Sequence, residues 1–440
     1  MKKFVLASKL VTRFAPAFVL AGLCLAAAPT LLAQTPSDQI TIKDPAEFNA
    51  YQNAITQTDP KAKASASESF LQTYPQSVVK KAVLDGLIEA YSSFDPAKTV
   101  DAATRMLQLD PNNLKAMYLI AFLKKQQAAQ VAASNPTQQA QLLDDAAAMA
   151  TKGLAATKPA EVKDEDFKKQ KATTDPFFHS VLAYDAIYSK KDLKAAIEEF
   201  RTELQMLPPE DTKKAPALND TLVLGQTYLQ LDPPDMVNGV WFLSRAWNFA
   251  PDNYKPVIDK SNKYWYKRYH GTYDGLDDIK TKAANSIFPT DDYKIAPAPT
   301  PTDTANKVVA ETSDLSTLAL ADKEYILANA SKENAEKVWA TVKDKTSEIP
   351  GTVIAATASQ IQVAVTDDAK NDKKADFTVN MKTPLADKDV PAVGSDVKGL
   401  IGTFDSYTQS PAQIIMRDGE LQVAKKPVAK KPAAGHRPTH

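Results

Sequence analysis

Histidine is the side chain best suited to proton transfer and metal ligation near neutral pH, and the chain has four: His179, His270, His436 and His440. His179 follows Phe177 and Phe178 with no second ligand at metal spacing, so it reads as a packed or surface side chain. His270 closes the run Lys267-Arg268-Tyr269-His270-Gly271. A cation there suits the negative end of a helix dipole, which gives it a capping role. Adjacent carboxylates occur at Asp144-Asp145, Glu198-Glu199, Asp277-Asp278 and Asp291-Asp292. Neighbours on a helix point in different directions, so these read as solvated faces rather than acid–base pairs. No calcium-loop spacing, no serine elbow and no glycine-rich phosphate loop is present. Cys24 is the only cysteine. These residues imply no catalytic group, no cofactor and no metal, and the chain is read as non-enzymatic.

The run Tyr264-Trp265-Tyr266-Lys267-Arg268-Tyr269 mixes rings and cations. That chemistry stacks bases or sugars when exposed. At helical spacing Trp265 and Tyr269 share a face, and packing beside Trp241 and Trp247 is the favoured expectation. Charge points the same way. Lys+Arg and Asp+Glu are both 53 in 440 residues, so the formal net charge is zero, and nothing general draws the chain to nucleic acid or to an anionic membrane.

The N-terminus carries Lys2, Lys3, Lys9 and Arg13 ahead of an apolar stretch from Phe14 to Leu32. This is the pattern of an export signal, residues 1–33, cut after Ala33 or Ala28. The alternative is an uncleaved inner-membrane anchor over 14–32, the one route by which a membrane contact is expected. Cleavage removes Cys24, leaving a chain without disulfide or thiolate chemistry. The expected compartment is the periplasm or cell envelope.

From 45 to 290 the chain reads as helix after helix. Pro/Asp/Asn breaks punctuate it at Asp59-Pro60, Tyr74-Pro75, Asp110-Pro111, Leu207-Pro208-Pro209 and Ala250-Pro251. Proline disfavours helical backbone in the residue before it, so each break ends a helix. Apolar residues recur at three- and four-residue spacing between breaks, as in Leu193, Ala196, Ile197 and Phe200. Several breaks lie at multiples of roughly 35 to 40 residues, the period of a helix-pair repeat.

These features resemble the tetratricopeptide family. Ala196, Phe200 and Pro208 match its second helix, and Leu224-Gly225-Gln226-Thr227-Tyr228 matches its first. Ala246 with Pro251, and Met106 to Asn113, resemble further copies. Weaker ones end near Pro75 and Pro159, and a last one runs from Gly271 to Pro289. The stretch from Ala128 to Ala140 and the insert at Asp232-Pro233-Pro234-Asp235 interrupt the register. A non-repetitive helical bundle is the competing architecture. The resemblance implies an α-solenoid with a concave surface lined by first helices. Carried over by position, it places Tyr118, Asp185, Tyr188, Asn219 and Gln226 there as partner-binding residues.

A Pro/Thr-rich linker is expected over 291–304 and a helical connector over 305–346, with Ser331 capping the helix that holds Val338, Trp339 and Val342. Over 349–424 the pattern turns to five short strands: Thr352–Ile354, Ile361–Val365, Phe377–Met381, Val397–Phe404 and Gln413–Arg417. Gly399 to Tyr407, followed by Ser410-Pro411 and Ile414-Ile415-Met416, resembles the end of an oligonucleotide/oligosaccharide-binding (OB) barrel. An SH3-like barrel or an irregular sandwich competes. The basic Pro/Ala tail, 425–440, lacks an apolar face and is expected to be disordered.

The fold class expected is therefore mainly α: a solenoid of tetratricopeptide-like helix pairs, then a small five-stranded OB-like β-barrel. The functional expectation is an exported scaffold that binds a protein or peptide partner in the envelope. The alternative is nucleic-acid or glycan binding through the barrel, with nucleic acid disfavoured by export and neutral charge.

Overall fold

The computed structural model describes residues 41–422. The signal-like segment 1–33, its anchor alternative 14–32 and the tail 425–440 lie outside the described residues. Among the described residues, no helix is long and apolar enough to cross a membrane. The chain divides into two compact units between Pro297 and Ala298.

The first unit is a series of helix pairs: α1 Pro45–Thr56 and α2 Pro60–Thr73; α3 Lys80–Ser92 and α4 Pro96–Leu109; α5 Leu114–Val131 and α6 Pro136–Ala155; α7 Asp164–Asp185 and α8 Leu193–Met206; α9 Ala217–Gln230 and α10 Met236–Phe249; α11 Lys255–His270 and α12 Leu276–Asn285. The boundaries follow local chemistry. Asp59, Asp95, Asn113, Asn135, Asp192 and Asp235 each accept backbone N–H bonds at a helix start, satisfying donors that have no intrahelical partner. Proline opens α1, α2, α4 and α6, where its missing N–H costs nothing. The Pro/Asp breaks read in the sequence fall at the ends of α2, α4, α8 and α10. The expected interruption from Ala128 to Ala140 shrinks to the turn between α5 and α6.

Each helix from α1 to α10 packs on its successor, and α5 also touches α7. Small residues set the spacing. A Cβ on Gly225 would stand 3.1 Å from the Leu243 backbone nitrogen and 3.3 Å from the Gly239 carbonyl oxygen, so α9 and α10 are in close approach there. The last pair departs from this order, because α12 packs on α10. Arg245 of α10, only 1% exposed, donates to the carbonyls of Ala283 and Ser286 at 2.9 Å each and to Thr212 Oγ1 at 2.7 Å. Trp241 Nε1 reaches the Ile287 carbonyl at 3.2 Å. These donors satisfy the carbonyls at and beyond the end of α12.

The expected linker over 291–304 is divided differently. Ile295 is buried in the core of the first unit, and Tyr293 lies edge-on to Trp241 at 4.7 Å. Apolar side chains pin that half of the segment. The other half begins α13, Pro301–Glu311, through a reciprocal cap between Thr300 and Asp303.

The second unit joins α13, α14 (Leu320–Asn329) and α15 (Lys332–Val342) to a seven-stranded curled sheet. Ser331 caps α15 as expected. The helices are not a separate connector: Ile326, Leu327, Val338 and Trp339 share one core with the sheet's Ile361, Val363, Phe377, Val379, Ile414 and Met416. The strands are β1 Thr346–Glu348, β2 Gly351–Ala356, β3 Gln360–Ala364, β4 Phe377–Met381, β5 Asp396–Val397, β6 Leu400–Gln409 and β7 Ala412–Leu421, with α16 Asp367–Asp372 between β3 and β4. Their order is β1-β6-β7-β4-β3-β2-β5, and only β4 and β7 run parallel. The expected five strands become seven for local reasons. Strand β1 precedes the expected first strand, with Ile349-Pro350 between it and β2. The expected fourth strand breaks at Gly399, whose φ is 71°. Because β1 and β2 are nearly contiguous yet pair toward opposite ends of the series, the chain itself links the two sides of the sheet.

Candidate binding site: an aromatic–lysine strip

Helix α5 carries Tyr118, Phe122 and Lys125 at steps of four and three, so all three share a face. Helix α7 supplies Phe177, Ser180 and Tyr184, and a single π-helical turn, Ala186–Lys190, extends it to Tyr188. Because α5 touches α7, the two faces merge into one strip. Tyr118 and Phe177 have ring centroids 4.6 Å apart, Tyr118 and Phe122 6.1 Å, and Phe122 and Phe177 6.2 Å. Lys125 Nζ lies 5.6 Å from the Phe177 ring centre and 4.2 Å from that of Tyr184. Tyr184 and Tyr188 follow at 6.2 Å. Phe122 is 41% exposed, and the other rings named are half-buried apart from these contacts.

A polar chain runs beneath the strip. Lys125 Nζ donates to Ser180 Oγ at 2.6 Å, and Ser180 donates to Asp220 Oδ2 of α9 at 2.7 Å. The Tyr184 hydroxyl donates to Asp220 Oδ1 at 2.8 Å. Ser180 and Asp220 are each 2% exposed. Glu203 of α8, 3% exposed, has one buried carboxyl oxygen with no hydrogen-bond partner. Burial first, then the Asp220 charge, pushes its pKa well above the usual carboxylate range. Burial and Asp220 likewise raise the Tyr184 phenol. The Ser180 proton is committed to Asp220, and its lysine neighbour acts as a donor. The arrangement fixes side chains and holds a cation in place.

Of the five residues placed by the repeat register, Tyr118 and Tyr188 lie at the two ends of the strip. Asn219 and Gln226 are half-buried on α9 and make no side-chain hydrogen bond to it. Asp185 is a correction: it is buried, 6% exposed, at the junction of α7 with the π turn. One of its carboxyl oxygens has no partner, Lys190 Nζ stands 3.8 Å away, and its pKa is raised, chiefly by burial. Asp185 lies seven residues after Phe178 and four after Val181, so the regular α7 register puts it on the face that those two buried side chains occupy.

Phe122, Lys125, Phe177, Ser180, Tyr184, Glu203 and Asp220 were not assigned to a site from the sequence. The legible signal was the pair of four-residue aromatic steps, Tyr118 to Phe122 and Tyr184 to Tyr188. Their convergence depends on how α5 meets α7. His179 Nδ1 lies 2.6 Å from Glu199 Oε2, and His270 Nδ1 lies 2.7 Å from the Ala296 carbonyl at the end of α11. In the aromatic run, Trp265 and Tyr266 are buried, whereas Tyr264 is 49% exposed. Among the described residues, no group of three or more His, Cys, Asp or Glu is placed to hold a metal.

The outer face of the sheet in the second unit offers a different chemistry. Gln362 Nε2 donates to Gln360 Oε1 at 3.2 Å, Gln360 Nε2 to Asn380 Oδ1 at 3.0 Å, and Gln413 Nε2 to Thr378 Oγ1 at 2.7 Å. This array of amides and a hydroxyl carries no charge and no ring.

No protein-family model and no curated protein sequence matches the chain.

Proposed function

We propose that the chain is an exported, non-enzymatic scaffold, that its helix pairs are stacked tetratricopeptide-like repeats, and that it binds a protein or peptide segment of the cell envelope along the aromatic–lysine strip. One observation carries this reading: an exposed phenylalanine, Phe122, stands among half-buried rings of two first helices beside an ammonium group. Aromatic anchors in a rigid setting are the groups that dominate protein–peptide binding energy. Stacked helix pairs hold such a surface rigid along several repeats. Export rests on the charged and apolar character of residues 1–33.

The test is selection of a randomised peptide library on the chain without residues 1–33. The expected result is an enriched set of peptides whose binding is lost in a Tyr118→Ala/Phe122→Ala double variant with an unchanged helical circular-dichroism spectrum. Absence of enrichment, or enrichment indifferent to both residues, counts against the reading. N-terminal sequencing of the exported protein tests cleavage against anchoring.

A second reading assigns the C-terminal unit to glycan binding. The strand circuit, with β1 and β2 acting as one bent strand and β4 parallel to β7, favours an OB-like barrel. The uncharged amide array on β3, β4 and β7 suits a neutral polyhydroxylated ligand better than a nucleic acid, which asks for cations and stacking rings. Retention on immobilised neutral polysaccharide, lost in Gln362→Ala, is the corresponding measurement.

A further inference from the structure

We propose that the segment bound along the strip carries a carboxylate beside an apolar side chain, the carboxylate on Lys125 Nζ and the apolar group over Phe122. This rests on the reading of the strip as a peptide site and states what that site selects.

The argument is one of unmatched charge. Lys63, Lys124 and Lys171 are half-buried and Lys280 is buried in the same unit, and each has a carboxylate oxygen between 2.8 and 3.0 Å from Nζ. Lys125, next to Lys124 in the chain and half-buried, has none within 4.0 Å among the described residues. An ammonium has three donors. One goes to Ser180, and the Phe177 and Tyr184 rings lie against the group.

The carboxylates of the neighbouring helices have partners of their own, and the Lys125 charge acts on Glu203 without a direct ion pair. On α6, Asp145 takes Lys124; on α7, Asp175 takes Lys171; on α8, Glu199 faces His179. Both oxygens of Asp220 on α9 are occupied by Ser180 and Tyr184. Glu203 favours its neutral form. The strip therefore presents a half-buried ammonium among rings that reaches Asp220 only through Ser180 and makes no direct ion pair among the described residues. An incoming carboxylate forms a charge-assisted bond there, and its apolar neighbour covers Phe122.

The test uses the peptides enriched by the library selection. Asp or Glu is expected next to, or within a turn of, an apolar residue. Exchanging that acid for its amide in the tightest peptide is expected to raise Kd about tenfold or more against the unaltered protein. Lys125→Gln is expected to bind the acid and amide peptides equally, and Lys125→Arg to keep the preference. The amide peptide needs no change to the protein, so it stands even if Lys125→Gln fails to fold. Equal binding of acid and amide peptides to the unaltered protein, or Phe122-dependent enrichment without acids, overturns this inference and leaves the peptide-binding reading in place. Absence of any Phe122-dependent peptide overturns both.

Discussion

Glu324 makes the stability of the second unit depend on pH, and replacing it with glutamine should remove that dependence. The residue lies on α14, is 8% exposed, and shares its surroundings with Asp376 and Asp368. Asp376 is itself buried, accepting N–H bonds from Val365 at 2.7 Å and Thr366 at 2.8 Å and an O–H bond from Thr366 at 2.8 Å. Burial first, and then those two negative charges, push the Glu324 pKa from 4.5 up to about 7. The native state thus holds a proton that the unfolded chain releases at lower pH. This contribution is fully present below about pH 4.5 and is lost as pH rises through about 7. A shift of about 2.5 units corresponds to about 3 kcal/mol at full ionisation, of which about 2.5 kcal/mol falls between pH 5 and 8. Glu324→Gln keeps the shape of the protonated acid and cannot ionise. The variant should gain about 2.5 kcal/mol on the parent between pH 5 and pH 8. Urea titrations at several pH values, each sampled by a brief hydrogen-exchange pulse at one fixed labelling pH, report on this unit through peptides from α14, β3 and β4. A parent whose midpoint does not fall between pH 5 and 8, or a variant that keeps the parent's slope, refutes the reasoning.

Three further outcomes follow from packing and burial in the first unit. Glu203→Gln should flatten the decline in stability of this unit as pH rises above the ordinary carboxylate range, because the native state holds the Glu203 proton; fluorescence-detected melts using Trp241, Trp247 and Trp265 measure it. Gly153→Ala on α6 drives a Cβ to 2.3 Å from the fully buried Phe178 ring and should cost about 1–3 kcal/mol. Gly86→Ala on α3 meets only the flexible end of Lys63 at 3.4 Å and should stabilise by up to about 1 kcal/mol, so the two variants' urea midpoints should move in opposite directions. Arg245→Met should leave the carbonyls of Ala283 and Ser286 without their donor, cost about 3 kcal/mol, and lower hydrogen-exchange protection in α12 before the rest of the unit.

The helix boundaries were legible because their causes are local. Asp59-Pro60 and Ser331 start helices through side chains that reach only a turn ahead, and X-Pro steps stop them through sterics between neighbours. The strand alternation of Ile361, Val363, Phe377 and Val379 was legible for the same reason, since side-chain period follows from backbone pleating. The segment from Tyr293 to Asp303 was misjudged. Its Pro/Thr composition resembles a spacer, yet Tyr293 and Ile295 find a core supplied by residues far away in the chain, and Thr300 finds its capping partner in Asp303.

Sequence alone determined the helix-pair order and the change from helical to strand periodicity near residue 346. Tertiary structure decided the rest. It covered the α7 face that carries Phe178, Val181 and Asp185, and docked α12 on α10 through a buried arginine. It also joined Tyr118, Phe122, Lys125, Phe177, Tyr184 and Tyr188 into one surface. Periodicity says which residues share a face of one helix. Which two faces meet depends on how side chains of different helices interlock, and that is a property of the packed molecule.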